Sequence, residues 1–498
     1  MSSAPNLSAA VRGVLRRAVE TFRDEPETEQ WLRTHLERLD EPLRVAIAGK
    51  VKAGKSTLLN ALVGEQIAPT DAGECTRVVT WYRDGYSPKI TLYPRDGVPT
   101  TVPVKRADGA LEIDLQGNRA RDLDRLVIDW PSQHLRATTL IDTPGIASTS
   151  AETSQRTVSF LTPEDDTPAE ADAVIYLMRH LHAADAKFLE SFRDQGVARA
   201  ASVNTIAVLS RADEVGAGRL DALISARFIA RRYQAHPTLR GLCQNVVAVA
   251  GLLGQTGRTL RQSEFLALVE LARAPRDELD ALLLSADRLC NAETAMAPTI
   301  VDAVPAEARR SLLARFGLFG IRLSTTLIRQ GIDTPGALAE ELVRRSGLAE
   351  LREVLETQFT ERRDLLKARS GLLALERVLR RDTEVDTRAL EAEVERILAS
   401  AHEFVELRTL TALRSGSVPI RADDGVELER LLGGTGDSAA VRLGLDGDAD
   451  ADKLRQATLE TLVRWQRRAE SPLAGRAETE VYRIAVRSCE GLLDALGQ

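Results

Sequence analysis

Cysteine is scarce and scattered in this chain. Cys75, Cys243, Cys290 and Cys489 form no C-x-x-C pair. That excludes a ribbon-type zinc site or a disulfide framework and points to reduced thiols in a cytosolic protein. The six histidines show no metal-ligand spacing such as H-E-x-x-H, and His180 and His182 read as surface-loop residues. Basic charge is not in excess: 66 Lys and Arg against 73 Asp and Glu leave −7. No global field therefore favours nucleic acid. No apolar run reaches the ~18 residues of a spanning helix. The best stretch, Phe316 to Ile328, carries Arg322 and three hydroxyl residues. Met1 to Asn6 lack a basic segment leading into an apolar one, so no signal peptide is expected and any membrane contact is expected to be peripheral.

Lysine is rare too, at only eight positions, yet three of them fall within six residues: Lys50, Lys52 and Lys55. They belong to Gly49-Lys50-Val51-Lys52-Ala53-Gly54-Lys55-Ser56, which follows the apolar run 43–48 and leads into Thr57-Leu58-Leu59-Asn60. A strand, a glycine-rich turn and a helix start are the context in which G-x-x-x-x-G-K-S binds a nucleoside triphosphate. Its amides point at phosphate oxygens, Lys55 reaches the β/γ-phosphates, and the Ser56 hydroxyl ligates Mg²⁺.

Asp142-Thr143-Pro144-Gly145 follows the run Thr138 to Ile141. There Asp142 is expected to hold Mg²⁺ through water, and the Gly145 amide to sense the γ-phosphate. Asp333-Thr334-Pro335-Gly336 repeats the tetrapeptide after a polar helix end and reads as a helix stop and a turn. Ser210-Arg211-Ala212-Asp213 follows the run Thr205 to Leu209. Asp213 is placed to accept from guanine N1 and its exocyclic amine, with Arg211 where lysine is usual. Ala250 and Gly251 are expected to offer amides to the guanine carbonyl. The switch threonine that completes the Mg²⁺ set is Thr76, with Thr70 as second choice and Arg77 as a nearby charge stabiliser. Ile146 stands where Ras-type enzymes carry a water-orienting glutamine. Hydrolysis must then draw on backbone carbonyls, a switch residue or a paired copy, and Lys52 is a candidate cation for the β–γ bridge. Asp446 to Asp452 begins like a calcium loop, but it lacks the sixth-place glycine and twelfth-place glutamate and reads as an acidic linker.

At 498 residues the chain has room for two or more domains. Residues 7–39 read as helix around Pro26. Residues 43–255 alternate short apolar strands with helices, which indicates an α/β fold. Asp84-Gly85, Asp96-Gly97 and Asp108-Gly109 are expected to close antiparallel hairpins. Beyond 256 the pattern is helical, and Leu390, Val394, Ile397, Ala401 and Phe404 read as one face of a long helix. The expected architecture is a mostly parallel sheet extended by extra strands, plus an α-helical bundle formed by both chain ends. Its divisions are 1–40, 41–255 and 256–498.

Residues 48–57, 68–72, 76–81, 210–219 and 315–322, with helices on both flanks, resemble the bacterial dynamin-like GTPases. The resemblance implies GTP as substrate with Mg²⁺, self-association through the GTPase domain, and a helical neck and trunk. It also implies membrane remodelling at the cytoplasmic face, peripheral lipid contact and a dynamin-like paralogue as partner. The turn Ser415 to Ile420, between Arg414 and Arg421, is the candidate lipid contact. Two other readings stay open: an assembly or ribosome-associated GTPase without membrane work, and a weakly hydrolysing partner of an active paralogue.

Overall fold

Alternating apolar residues on short segments build the sheet. In the computed structural model, which describes residues 7–69, 74–107, 109–145, 170–191, 204–291, 297–381 and 385–497, the strands are β1 (Leu43–Gly49), β2 (Val79–Asp84), β3 (Lys89–Pro94), β4 (Thr100–Val102), β5 (Lys105–Ala107), β6 (Ala110–Glu112), β7 (Leu123–Trp130), β8 (Thr138–Asp142), β9 (Ala173–Met178), β10 (Thr205–Ser210) and β11 (Val246–Val249). Nine of them form one sheet in the order β11-β10-β9-β1-β8-β2-β7-β3-β4, and β5 and β6 pair separately. The half from β11 to β8 is parallel, while β2 runs antiparallel to β8. The chain builds the sheet strands from β2 to β8 on one side of β1 and then β9 to β11 on the other, so the strand order reverses at β1 and its carboxyl end lies at the topological switch point, where such sheets bind ligands.

Two of the three expected hairpins form: β3 with β4, and β5 with β6. Asp84-Gly85 closes none. β7 lies between β2 and β3, parallel to one and antiparallel to the other. β7 outcompetes the local turn, because burying Leu123, Leu126, Val127, Ile128 and Trp130 between two neighbours outweighs one tight reversal.

Both faces of the sheet are covered. Val45 and Ile47 point into one cluster with Val11, Val14 and Leu15 of the helix Leu7–Thr21, Leu366 and Leu372 of Arg363–Leu379, and Leu390 and Val394 of Arg388–Ser400. Each such side chain removed from water contributes about 1.5–3 kcal/mol, which an isolated helix of this length could not gain alone. The N-terminal helices and helices of the C-terminal region thus meet in one bundle. Ala46 and Ala48 face a second cluster, with Ala226 of Ala222–Gln234 and Phe316, Ile321 and Leu323 of Ala306–Arg329. Ala306–Arg329 has the length and apolarity of a membrane-crossing helix, yet half of that window is buried within the protein. A third cluster joins Leu428, Leu431, Trp465, Tyr482 and Cys489 around the hairpin Ala451–Ala469 and Arg476–Leu496.

The long helix expected through 390–404 is two helices. The chain leaves helical geometry at Ala401 (ψ 106) and restarts at His402. Leu390, Val394, Ile397 and Phe404 still reach the same cluster, so the apolar spacing holds across the corner. Thr334 caps the next helix, Pro335–Arg345, by accepting from the Ala337 amide at 3.3 Å, so the repeated tetrapeptide ends one helix and starts another. Asp450 does the same for Ala451–Ala469.

A buried ion cluster fastens the bundle to the sheet. Asp172, at the start of β9, accepts from the Arg44 amide at 2.9 Å and from Arg38 at 3.3 Å, and pairs with Lys367 at 3.0 Å. Burial alone would raise its carboxyl, but Arg38 and Lys367 hold it below the usual range.

Candidate functional site

β1 ends at Gly49 with φ 151, where a Cβ would stand 2.5 Å from the Leu177 carbonyl oxygen; only glycine lets the chain leave the sheet here. The loop turns through Lys52, held at φ 62 and exposed, and the helix Lys55–Val63 begins. Lys55 lies back over the loop, its Nζ donating to the Gly49 carbonyl at 3.3 Å. Burial lowers its pKa against the pull of Asp142.

β8 delivers Asp142 beside Ser56, whose hydroxyl donates to Oδ2 at 2.8 Å. Thr143 fixes the strand end by donating its hydroxyl to the Ile47 carbonyl at 3.0 Å. The other carboxylate oxygen, Oδ1, is buried without a partner. Burial raises the Asp142 carboxyl, and neither Lys55 nor Ser56 offsets it. An orphaned carboxylate oxygen beside a serine hydroxyl supplies oxygen ligands of the kind a hard divalent cation takes, so Ser56 and Asp142 fit Mg²⁺. Gly145 packs on the loop, where a Cβ would come within 2.8 Å of Val51 Cα. Ile146 and Thr70 lie outside the described residues. Thr76 is half-buried in the turn Glu74–Arg77 that enters β2. Because β2 pairs antiparallel with β8, Thr80 opposite Asp142, that turn leaves the sheet at the Asp142 end.

A cavity opens beyond the loop, lined by Ala53, Gly54 and Thr57 on one side and Ser210, Arg211 and Asp213 on the other, with Gly251 closing it. Burial pushes the Asp213 carboxyl up. Arg211 sits at φ 53 and its guanidinium pairs with Glu214, which Arg179 also holds. The Ser210 hydroxyl is turned away to the Met178 carbonyl at 3.2 Å. One expected donor fails: the Ala250 amide already donates to the Ser346 carbonyl at 2.9 Å, because the 345–347 turn crosses against β11. Gly251 remains as the candidate on that side. Lys50 is likewise engaged, its Nζ 3.0 Å from Asp185.

Sequence reasoning missed several supports. Asp185 is buried and also accepts from the Tyr176 hydroxyl at 2.8 Å and the His182 amide at 3.0 Å, a convergence that no spacing announces. Asn60 is buried and ties the loop after the phosphate helix, accepting from the Ile67 and Ala68 amides. Arg322 donates to the carbonyls of Gly218 and Leu283, clamping the base-side loop to Ala306–Arg329. Its one signal in the sequence was a charge inside an apolar run. Among the described residues no cluster of His, Cys, Asp and Glu forms a further metal site.

Comparison with known proteins agrees with this geometry. Residues 45–211 match the model of the Dynamin family. Isoniazid-induced protein IniC of Mycobacterium tuberculosis is 42% identical over 492 residues, covering 98% of each chain. The bacterial dynamin-like protein of Nostoc punctiforme is 33% identical over 119 residues, 22% of this chain and 17% of that one. A solved chain from an oligomerised bacterial dynamin pair aligns with all of this chain and 75% of its own, at 13% identity and a TM-score of 0.38, too low to carry an argument. The chain belongs to the dynamin family, as a bacterial dynamin-like protein of the IniC kind.

Proposed function

We propose that this chain binds and hydrolyses GTP with Mg²⁺, and that pairing of GTPase domains couples turnover to membrane work at the cytoplasmic face. The observation that carries the reading is the cavity bounded by the phosphate loop and Asp213, with the unpartnered Asp142 oxygen at its phosphate end. Loop amides and Lys55 hold the triphosphate; Ser56, Thr76 and Asp142, the last through water, hold the cation. Bound there, Mg²⁺ would neutralise charge developing on the phosphates. Asp213 accepts from the guanine edge, and adenine offers no matching donors. Lys52, exposed on the loop, is the candidate cation for the β–γ bridge.

The lipid contact moves relative to the sequence expectation. Val418 and Ile420 pack against the third cluster and are not free to enter a bilayer. Leu473, in the turn between Ala451–Ala469 and Arg476–Leu496, is 92% exposed, with Arg467 and Arg476 at the two helix ends beside it. An apolar tip among arginines suits an acidic lipid surface.

A second reading is a weakly hydrolysing, GTP-binding partner of an active paralogue, which Ile146 favours. Phosphate release measured beside co-sedimentation with acidic liposomes separates the two. Turnover with nucleotide-dependent lipid binding supports the first, and binding of GTP without turnover supports the second. Turnover of the native chain with no lipid binding would remove the membrane part, and lipid binding unchanged in Leu473→Asp would remove the tip.

A further inference from the structure

A second cavity, of about 180 Å³, lies at the opposite end of the sheet from the phosphates. Thr138, at the start of β8, lines it, whereas Asp142 at the far end of the same strand belongs to the nucleotide site. Leu62, Leu140, Ile175 and Phe359 form its walls, all buried. Its polar lining includes Arg352, the imidazole of His134 and, at the rim, Glu356.

Arg352 donates to the Leu62 carbonyl at the end of the phosphate-loop helix. The Arg258 guanidinium lies against Gly64, just past that helix, with Nη2 3.2 Å from His134 Nε2. A guanidinium only donates, so Nε2 accepts and the ring proton sits on Nδ1. Neither arginine has a carboxylate within ion-pair distance among the described residues. Glu356 lines the rim but is exposed and pairs with neither. A helix C-terminus offers about half a negative charge, so two guanidiniums leave a surplus. Arg352 shows the strain, its pKa lowered to about 10 by burial and by Arg258. The wall also includes a π-turn, Glu356–Thr360, an irregularity found frequently at functional sites.

We propose that this cavity binds a small anionic amphiphile, its carboxylate held by Arg352, with Arg258 adding positive charge from behind His134, and its aliphatic body lying among Leu140, Ile175 and Phe359. A free anion would leave the apolar walls unused, and a neutral hydrocarbon would leave both guanidiniums unmatched. A cavity of about 180 Å³ suits a chain of medium length and not a full membrane acyl tail.

Octanoate is the probe, titrated calorimetrically into the full chain with 1-octanol and inorganic phosphate as controls. Octanoate is expected to bind at least tenfold more tightly than either control. Arg352→Leu is expected to weaken it at least tenfold, and Leu355→Trp, which fills the cavity from its wall, to abolish it. Both variants are checked for retained folding by their melting and by GTP-analogue binding. Absent octanoate binding, equal binding of octanol or phosphate, or octanoate binding unchanged in both folded variants would overturn the proposal.

Discussion

Two aspartates, Asp172 fully buried and Asp142 half-buried, divide the molecule into what holds it together and what it does. Asp172 sits where the helical bundle meets the sheet and is surrounded by Arg38, Lys367 and the Arg44 amide, which together keep its carboxyl low. Asp142 sits beside the phosphate loop, meets one hydroxyl, keeps Oδ1 unpartnered, and has its carboxyl raised by burial. The same fold that brings two cations to one carboxylate leaves the other short. Charge is balanced where the chain fastens itself and left open where a ligand completes the site.

Removing each charge in turn breaks the comparison apart. Asp172→Asn strands Arg38 and Lys367 in the interior and is expected to cost about 3–5 kcal/mol, read as a lower midpoint in chemical denaturation. GTP affinity of the folded fraction should survive. Asp142→Asn is expected to do the reverse. Its melting temperature should hold or rise, while Mg²⁺-dependent phosphate release should fall roughly 10²–10³-fold, about 3–4 kcal/mol.

Glu406 belongs with Asp172. Burial would raise its carboxyl, but hydrogen bonds from His402 and Ser488 and the charge of Arg442 bring it to about 2. A depressed carboxyl stabilises the fold above its unfolded pKa and loses that contribution as pH falls through the folded value. On the order of 3 kcal/mol should therefore disappear between about pH 4.5 and 2. Glu406→Gln should flatten that limb of stability against pH. The smallest effect is expected at Asp213. Asp213→Asn should weaken GTP by about 1–3 kcal/mol and improve xanthosine triphosphate, whose C2 carbonyl accepts from the new amide. Competition binding reads both.

Much of this was legible from residue order. Gly49 to Ser56, Asp142 and Ser210 to Asp213 each follow a short apolar run, and each run became a parallel strand ending at one crevice. Local chemistry of that kind is encoded locally. What escaped was set by tertiary competition. Asp84-Gly85 is good turn chemistry that yielded to β7. The Ala250 amide was taken by Ser346, nearly a hundred residues on. The corner at Ala401 preserves the apolar spacing on both sides, so periodicity alone could not find it. The buried ion cluster joins residues 38, 172 and 367, and no window of sequence contains all three.

The central claim is that the cavity between the phosphate loop and Asp213 takes GTP, with Asp142 completing a Mg²⁺ site. Calorimetric titration of the full chain with a non-hydrolysable GTP analogue, with and without Mg²⁺, tests it most directly. The account expects one site per chain, tighter with Mg²⁺ in the native protein but not in Asp142→Asn, and poorly displaced by ATP. No heat, ready displacement by ATP, or equal Mg²⁺ dependence in the variant would contradict it.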